Sequence, residues 1–118
     1  MIVVRGNIRV MSINTLYNGK IDEVQAYSSA VRQFVESETR TQKRLTVSCV
    51  ITFIAYFPHI GVAVDCDNVI TKPFVDGLKK HVLYNKDDNI NSVKEMRVIC
   101  RIGGGYVFEM HINPTREQ

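Results

Sequence analysis

The carboxylates Asp65, Asp67, Asp87 and Asp88 fall with Lys72 in a single stretch of the chain from 65 to 88. Hard divalent cations bind clustered carboxylate oxygens. Enzymes that cut nucleic acid by phosphoryl transfer use one or two such cations to generate the nucleophile and stabilise the leaving oxygen. If the stretch folds as loop, helix and loop, these groups can converge. In an extended Asp65-Cys66-Asp67 the two carboxylates point the same way, because side chains alternate, and both could reach one cation. The structural alternative is a loop with an N-capping aspartate, followed by a plain turn at Asn85-Lys86-Asp87-Asp88-Asn89, whose residue types turns favour. Lys72 would neutralise a phosphate beside the metal, or be an ordinary exposed lysine. Lys79-Lys80 would track a DNA backbone, or form a solvated helix face.

The elements that must position these groups are short. Ile2–Val4 and Ile8–Met11 read as strands broken by a Gly6-Asn7 turn. Ser12–Lys20 is polar and reads as a loop. Val24, Tyr27, Ala30, Val31 and Phe34 recur at three- and four-residue spacing, which predicts a helix from about Ile21 to Thr39. Asp22 and Glu23 suit its first turn. Leu45–Phe57, rich in Val, Ile, Thr, Phe and Tyr, is the strongest strand signal, and Pro58 ends it. Ile70, Phe74, Leu78 and His81 or Val82 give a second helical stripe, with Thr71 as N-cap and Pro73 in the first turn. Ser92–Ile102 and Tyr106–Ile112 read as a β-hairpin turned by Gly103-Gly104-Gly105. Pro114–Gln118 reads as a tail. The order β, β, α, β, α, β, β predicts an α+β fold: a small mixed, mostly antiparallel sheet with two helices on one face.

At 118 residues the chain is expected to be one domain, 1–118. A hydrophobic content of 45% supplies one core, and a chain this small gains from burying more surface in a dimer. The net charge of +3 permits an anionic partner without demanding one. Cys49, Cys66 and Cys100 are odd in number and form no CxxC pair. That disfavours a disulfide framework or a structural zinc site and favours a reducing interior. No run reaches the length of a membrane span, and the N-terminus lacks the charged region of a signal peptide, so a cytoplasmic location is expected. His59, His81 and His111 have no metal-ligand spacing, and Gly103–Gly105 lacks the following GK[ST] or helix of a phosphate loop. No set of residues makes a credible Ser/His/Asp or Cys/His nucleophile.

Asp65-x-Asp67-Asn68, then Lys72-Pro73-x-x-Asp76-x-Leu78, then Val82-Leu83-Tyr84, then Asp87-Asp88-x-Ile90, resembles the RusA family of Holliday junction resolvases. Ser12-x-Asn14-x-x-Tyr17 is similar to the family's N-terminal S-x-N loop. The resemblance covers nearly the whole chain, with its specific content in Asp65–Ile90. It implies a RusA-like fold and a Mg²⁺-dependent homodimer that nicks four-way DNA junctions symmetrically. Such proteins are common in phages and prophages. By position, Asp65, Asp67 and Asp88 would hold the metal and Lys72 would lie near the scissile phosphate. Asp76 and Asp87 would support them, and Asn14 would join Lys72, Lys79 and Lys80 on the DNA. Three residues separate Asn68 from Lys72 where the family usually has two, which turns Lys72 by about 100° if the segment is helical. Gly77 replaces the usual alanine, at about 1 kcal/mol of helix propensity. Val64 stands where a basic residue is frequent.

The expected function is therefore a crossover junction endodeoxyribonuclease that resolves Holliday junctions by paired cleavage. The alternatives are a non-catalytic protein that binds branched DNA, derived from a resolvase, and a structural protein with an acidic surface loop. A dimer would use the strand edges near Ile2–Val4 or Ile99–Ile102.

Overall fold

The computed structural model describes residues 1–116, so Glu117 and Gln118 of the expected tail lie outside it, as does the side chain of Tyr17. Its elements are β1 (Ile2–Gly6), α1 (Ile13–Tyr17), α2 (Ile21–Glu38), β2 (Cys49–Phe57), α3 (Lys72–Asp76), β3 (Val93–Ile102) and β4 (Val107–Pro114). Single 3₁₀ turns lie at Ile60–Val62, Cys66–Asn68 and Tyr84–Lys86. The four strands form one sheet in the order β1-β4-β2-β3. β1 and β2 pair antiparallel with β4, and β3 pairs parallel with β2. The sheet is thus mixed and mostly antiparallel, and the fold is α+β, as expected.

β2 is central because its sequence suits burial. Cys49, Ile51, Phe53, Ala55 and Phe57 alternate onto the helix-bearing face, and all are buried. There Phe53 meets Phe74 of α3 at 5.0 Å between ring centroids, and Phe108 of β4 meets Phe34 of α2 at 6.0 Å. Both longer helical stripes therefore pack on one face of the sheet. The α2 stripe buries Val31 and Val35 and half-buries Val24, Tyr27 and Phe34, while Ala30 faces solvent. Thr39 ends α2, where its hydroxyl donates back to the Val35 carbonyl at 2.8 Å.

β3 and β4 do not form the expected hairpin, because β2 lies between them. A parallel pair needs a long crossover, and residues 58–92, with α3, supply it. Gly103, Gly104 and Gly105, at φ 120°, 73° and 80°, then carry the chain over the end of β2. Gly103 N–H donates to Phe57 O at 2.8 Å, so the loop is pinned to the strand it crosses. Ile8–Met11 forms no strand. It runs extended into a single bridge, Ser12 with Val69, beside the Ile70 N–H bond to Met11 O at 3.0 Å. The polar segment after it is not all loop: Ser12 Oγ accepts from Thr15 N at 2.9 Å and caps α1. The second helical stripe is shorter than expected. α3 ends at Asp76, and turns continue it to Leu83. Nor is the start of the tail free, since Thr115 N–H donates to Ser48 O at 2.9 Å.

Two glycines are set by packing. A Cβ on Gly6 would lie 2.6 Å from the Phe34 ring, so Gly6 ends β1 beneath that ring instead of making a turn. A Cβ on Gly77 would lie 2.5 Å from Val35 Cβ and 2.9 Å from the Arg32 carbonyl. Gly77→Ala should therefore destabilise the protein by about 1–3 kcal/mol through overpacking, despite alanine's better helix propensity. In Val35→Ala the same change should cost less, and strictly additive unfolding free energies would refute this contact.

Candidate functional site

Asp65, Cys66 and Asp67 are exposed on the 3₁₀ turn Cys66–Asn68, which packs against β3. Asp65 itself is extended, and Asn68 N–H closes the turn on its carbonyl at 2.9 Å. Asp65-Cys66-Asp67 is therefore not the continuous extended segment in which alternation would put both carboxylates on one side. Neither Asp65 nor Asp67 has an ion-pair partner among the described residues. Asp65 opens onto a polar cleft of about 410 Å³ shared with Arg9, Ser12, Thr15 and Asn68. The bridge between Ser12 and Val69 joins the two walls of this cleft. Arg9 stands over the Tyr106 ring, 4.9 Å from its centroid, and the Tyr27 hydroxyl donates to the Arg9 carbonyl at 2.8 Å. Burial pushes the Tyr27 phenol up to about 12, so it remains a donor. Periodicity and motif gave no sign of Arg9 or Thr15; only the fold brings them to Asp65.

The remaining motif residues form a second group. Asp76 Oδ1 lies 3.0 Å from Lys79 Nζ and 3.5 Å from Lys72 Nζ. Lys79 also reaches Asp88 Oδ2 at 3.5 Å. The close Asp76 carboxylate, aided by Asp88, holds the Lys79 ammonium above its ordinary value. Lys79 is thus ion-paired within the protein and still partly exposed. Lys72 is mostly exposed at the first position of α3, and Lys80 is exposed. Asn14 is exposed on α1. Asp87 serves the turn: its carboxylate accepts from Asp88 N at 2.7 Å and from Asn89 Nδ2 at 3.0 Å. Asn85 and Lys86, at φ 56° and 57°, steer the chain into that turn.

Arg44 ties this second group to the segment that leads into β2. Its guanidinium donates to the Lys79 carbonyl at 3.0 Å, to that of Leu83 at 2.6 Å, and to that of Lys80. Those carbonyls end the turns after α3, where a cation is favoured. Nothing in the local sequence marked Arg44 for this task.

The two acid groups stand against different ends of β3. Cys66 shares a groove with Cys100, near the strand's C-terminal end. Asp88 precedes Asn89, whose carbonyl accepts from Ser92 and Val93 at the strand's start. Seven strand steps separate Val93 from Cys100, roughly 23 Å. Among the described residues, no three His, Cys, Asp or Glu side chains stand grouped as a metal-ligand set. Asp65 and Asp67 fit a hard cation by charge and exposure, while Asp88 is paired with Lys79.

The helix-free face of the sheet carries a cluster the motif did not mark. Glu109 pairs with His111 Nε2 at 2.9 Å and with Arg5, and Arg5 stands 5.6 Å from the Tyr56 ring centroid. The His111 bond, helped by Tyr56 and Arg5, holds the Glu109 carboxyl below its usual 4.5. A carboxyl with a depressed folded value adds stability above 4.5, which is lost as pH falls through the folded value. Glu109→Gln should therefore lower the urea midpoint at neutral pH, and its deficit relative to the native chain should shrink in acid. A deficit independent of pH would mean the pairing adds nothing.

A scan against protein-family models finds no match for the chain, and a search of curated proteins finds none either.

Proposed function

We propose that the chain is a Mg²⁺-dependent, structure-selective DNA endonuclease that acts on four-way junctions as a homodimer. The motif run Asp65–Ile90 supports the reading, and one observation carries it. Asp65 and Asp67 are exposed and free of ion pairs among the described residues, and Asp65 faces a cleft that also holds Arg9. Carboxylates kept for internal pairing would look like Asp76 and Asp88; these two do not. Arg9 and Lys72 would hold phosphates, Arg9 with its guanidinium set by the Tyr106 ring. Two incisions need two sites, and a twofold dimer supplies them. Both Ile2–Val4 and Ile99–Ile102 lie on edge strands, where unpaired backbone is open to a second copy.

The pairing of Asp88 with Lys79 favours a second reading, a branched-DNA-binding protein that does not cut. A labelled four-way junction separates the two. Paired nicks that appear only with Mg²⁺ support the endonuclease. A gel shift that weakens steeply with salt, with no nick at any Mg²⁺ concentration, supports the binder. The absence of a shift even at low salt overturns both and leaves an acidic surface loop.

A further inference from the structure

We propose that Cys66 and Cys100 are a redox pair whose reversible disulfide clamps the Asp65–Asp67 turn onto β3. This stands independently of the nuclease reading.

Three observations meet here. The Cys66 turn packs on β3, the strand that carries Cys100. Cys66 is exposed while Cys100 is half-buried, and both line one groove with Phe57 and Ile102. One sulfur is thus open to an oxidant and the other waits behind it. Cys49 is no competitor. It is fully buried and pairs with Val93 and Pro114, whereas Cys100 pairs with Ala55, six residues further along β2 and roughly 20 Å away.

Hydrogen peroxide is the oxidant class that completes the step. Its O–O bond breaks as one oxygen joins Cys66 Sγ, giving a sulfenic acid and one water. The Cys100 sulfur then attacks the Cys66 sulfur. The S–S bond forms, the S–O bond breaks, and the hydroxyl leaves as water with the Cys100 proton. Two thiols lose two electrons in total, and one peroxide becomes two waters. A dithiol reductant reverses the bond by exchange. In a reducing interior a bridge between such thiols is transient and signals oxidation instead of stapling the fold.

The consequence follows from sequence position. Asp65 and Asp67 flank Cys66, so the bridge fixes the turn that carries both carboxylates. In the reduced form the 3₁₀ turn rests on Asn68 N–H bonded to Asp65 O and on packing.

The test uses the full chain with hydrogen peroxide, then alkylation, digestion and mass spectrometry, with backbone amide exchange of the intact protein in parallel. Free thiols should fall from three to one. A peptide linked through Cys66 and Cys100 should appear, dithiothreitol should restore all the thiols, and exchange across residues 66–69 should slow in the oxidised form. Cys66→Ser should abolish the linkage while keeping Cys100 reduced. Three results would overturn the proposal: Cys66 driven to sulfinic acid with Cys100 still free, Cys66–Cys66 linkage between chains, or a bridge that leaves exchange of the turn unchanged.

Discussion

Phe74→Ala should lower the stability of the protein by about 3–5 kcal/mol, the cost of removing a buried aromatic side chain and leaving a cavity. Phe74 is completely buried, with its ring 4.7 Å from that of Phe108 and 5.0 Å from that of Phe53. The local sequence of α3 does little to hold it: five residues, no side-chain hydrogen bond at its N-cap, and a glycine after it. Isolated helices of that length do not persist in water. Packing of Phe74 and Leu78 is therefore what makes this segment helical. Its loss should also loosen the Lys72, Asp76, Lys79 and Asp88 pairs, which depend on the helix for their spacing. Phe74→Leu keeps apolar bulk and should cost less. Urea denaturation measures both, and a loss below about 1 kcal/mol for Phe74→Ala would show that α3 is not seated on the core.

The second large effect is chemical. Asp65→Asn and Asp67→Asn should each lower Mg²⁺-dependent cleavage of a four-way junction by about 100-fold or more while leaving gel-shift affinity intact or tighter. Asparagine keeps the shape of aspartate but not the charge a hard cation needs, and a lost negative charge relieves repulsion from phosphate. Because neither aspartate has an ion-pair partner among the described residues, both variants should unfold close to the native chain. Robust cleavage by either variant removes that residue from the site. Asp88→Asn gives the contrast. A loss equal to theirs means that the Asp88 loop closes onto the turn when cation and DNA bind. Substantial residual activity means that Asp88 acts only through Lys79.

Local pattern carried some of this and could not carry the rest. α2 follows an unbroken helical stripe, and its observed span, Ile21–Glu38, matches the periodicity within one residue. β2 announces itself by β-branched and aromatic residues, but it starts at Cys49 and not at Leu45. Strand adjacency is different, because no local signal says which strand passes beneath a turn. Gly103–Gly105 marks a reversal truthfully and still misleads about the pairing. Gly6 and Gly77 have tertiary causes, the Phe34 ring and the Val35 side chain. At the site, the order of the acids is legible but their grouping is not. Lys79 draws Asp88 toward Asp76, and Arg44 fixes the turns between them from thirty-five residues away.

The insertion of β4 between β1 and β2 bears on how the chain acquires its shape during synthesis. β1 has one neighbour in the sheet, and that neighbour is the final strand. Until residues 107–114 have left the ribosome, the first strand has nothing to pair with and β2 shows a bare edge. A loop-closure cost spanning almost the entire chain must be met before the sheet is complete. Native contacts of such long sequence separation slow folding. The nascent chain should therefore remain open until residues 107–114 have emerged, with Phe53 lacking its Phe108 neighbour. A truncation that removes β4 would leave two strand edges exposed and a chain prone to self-association.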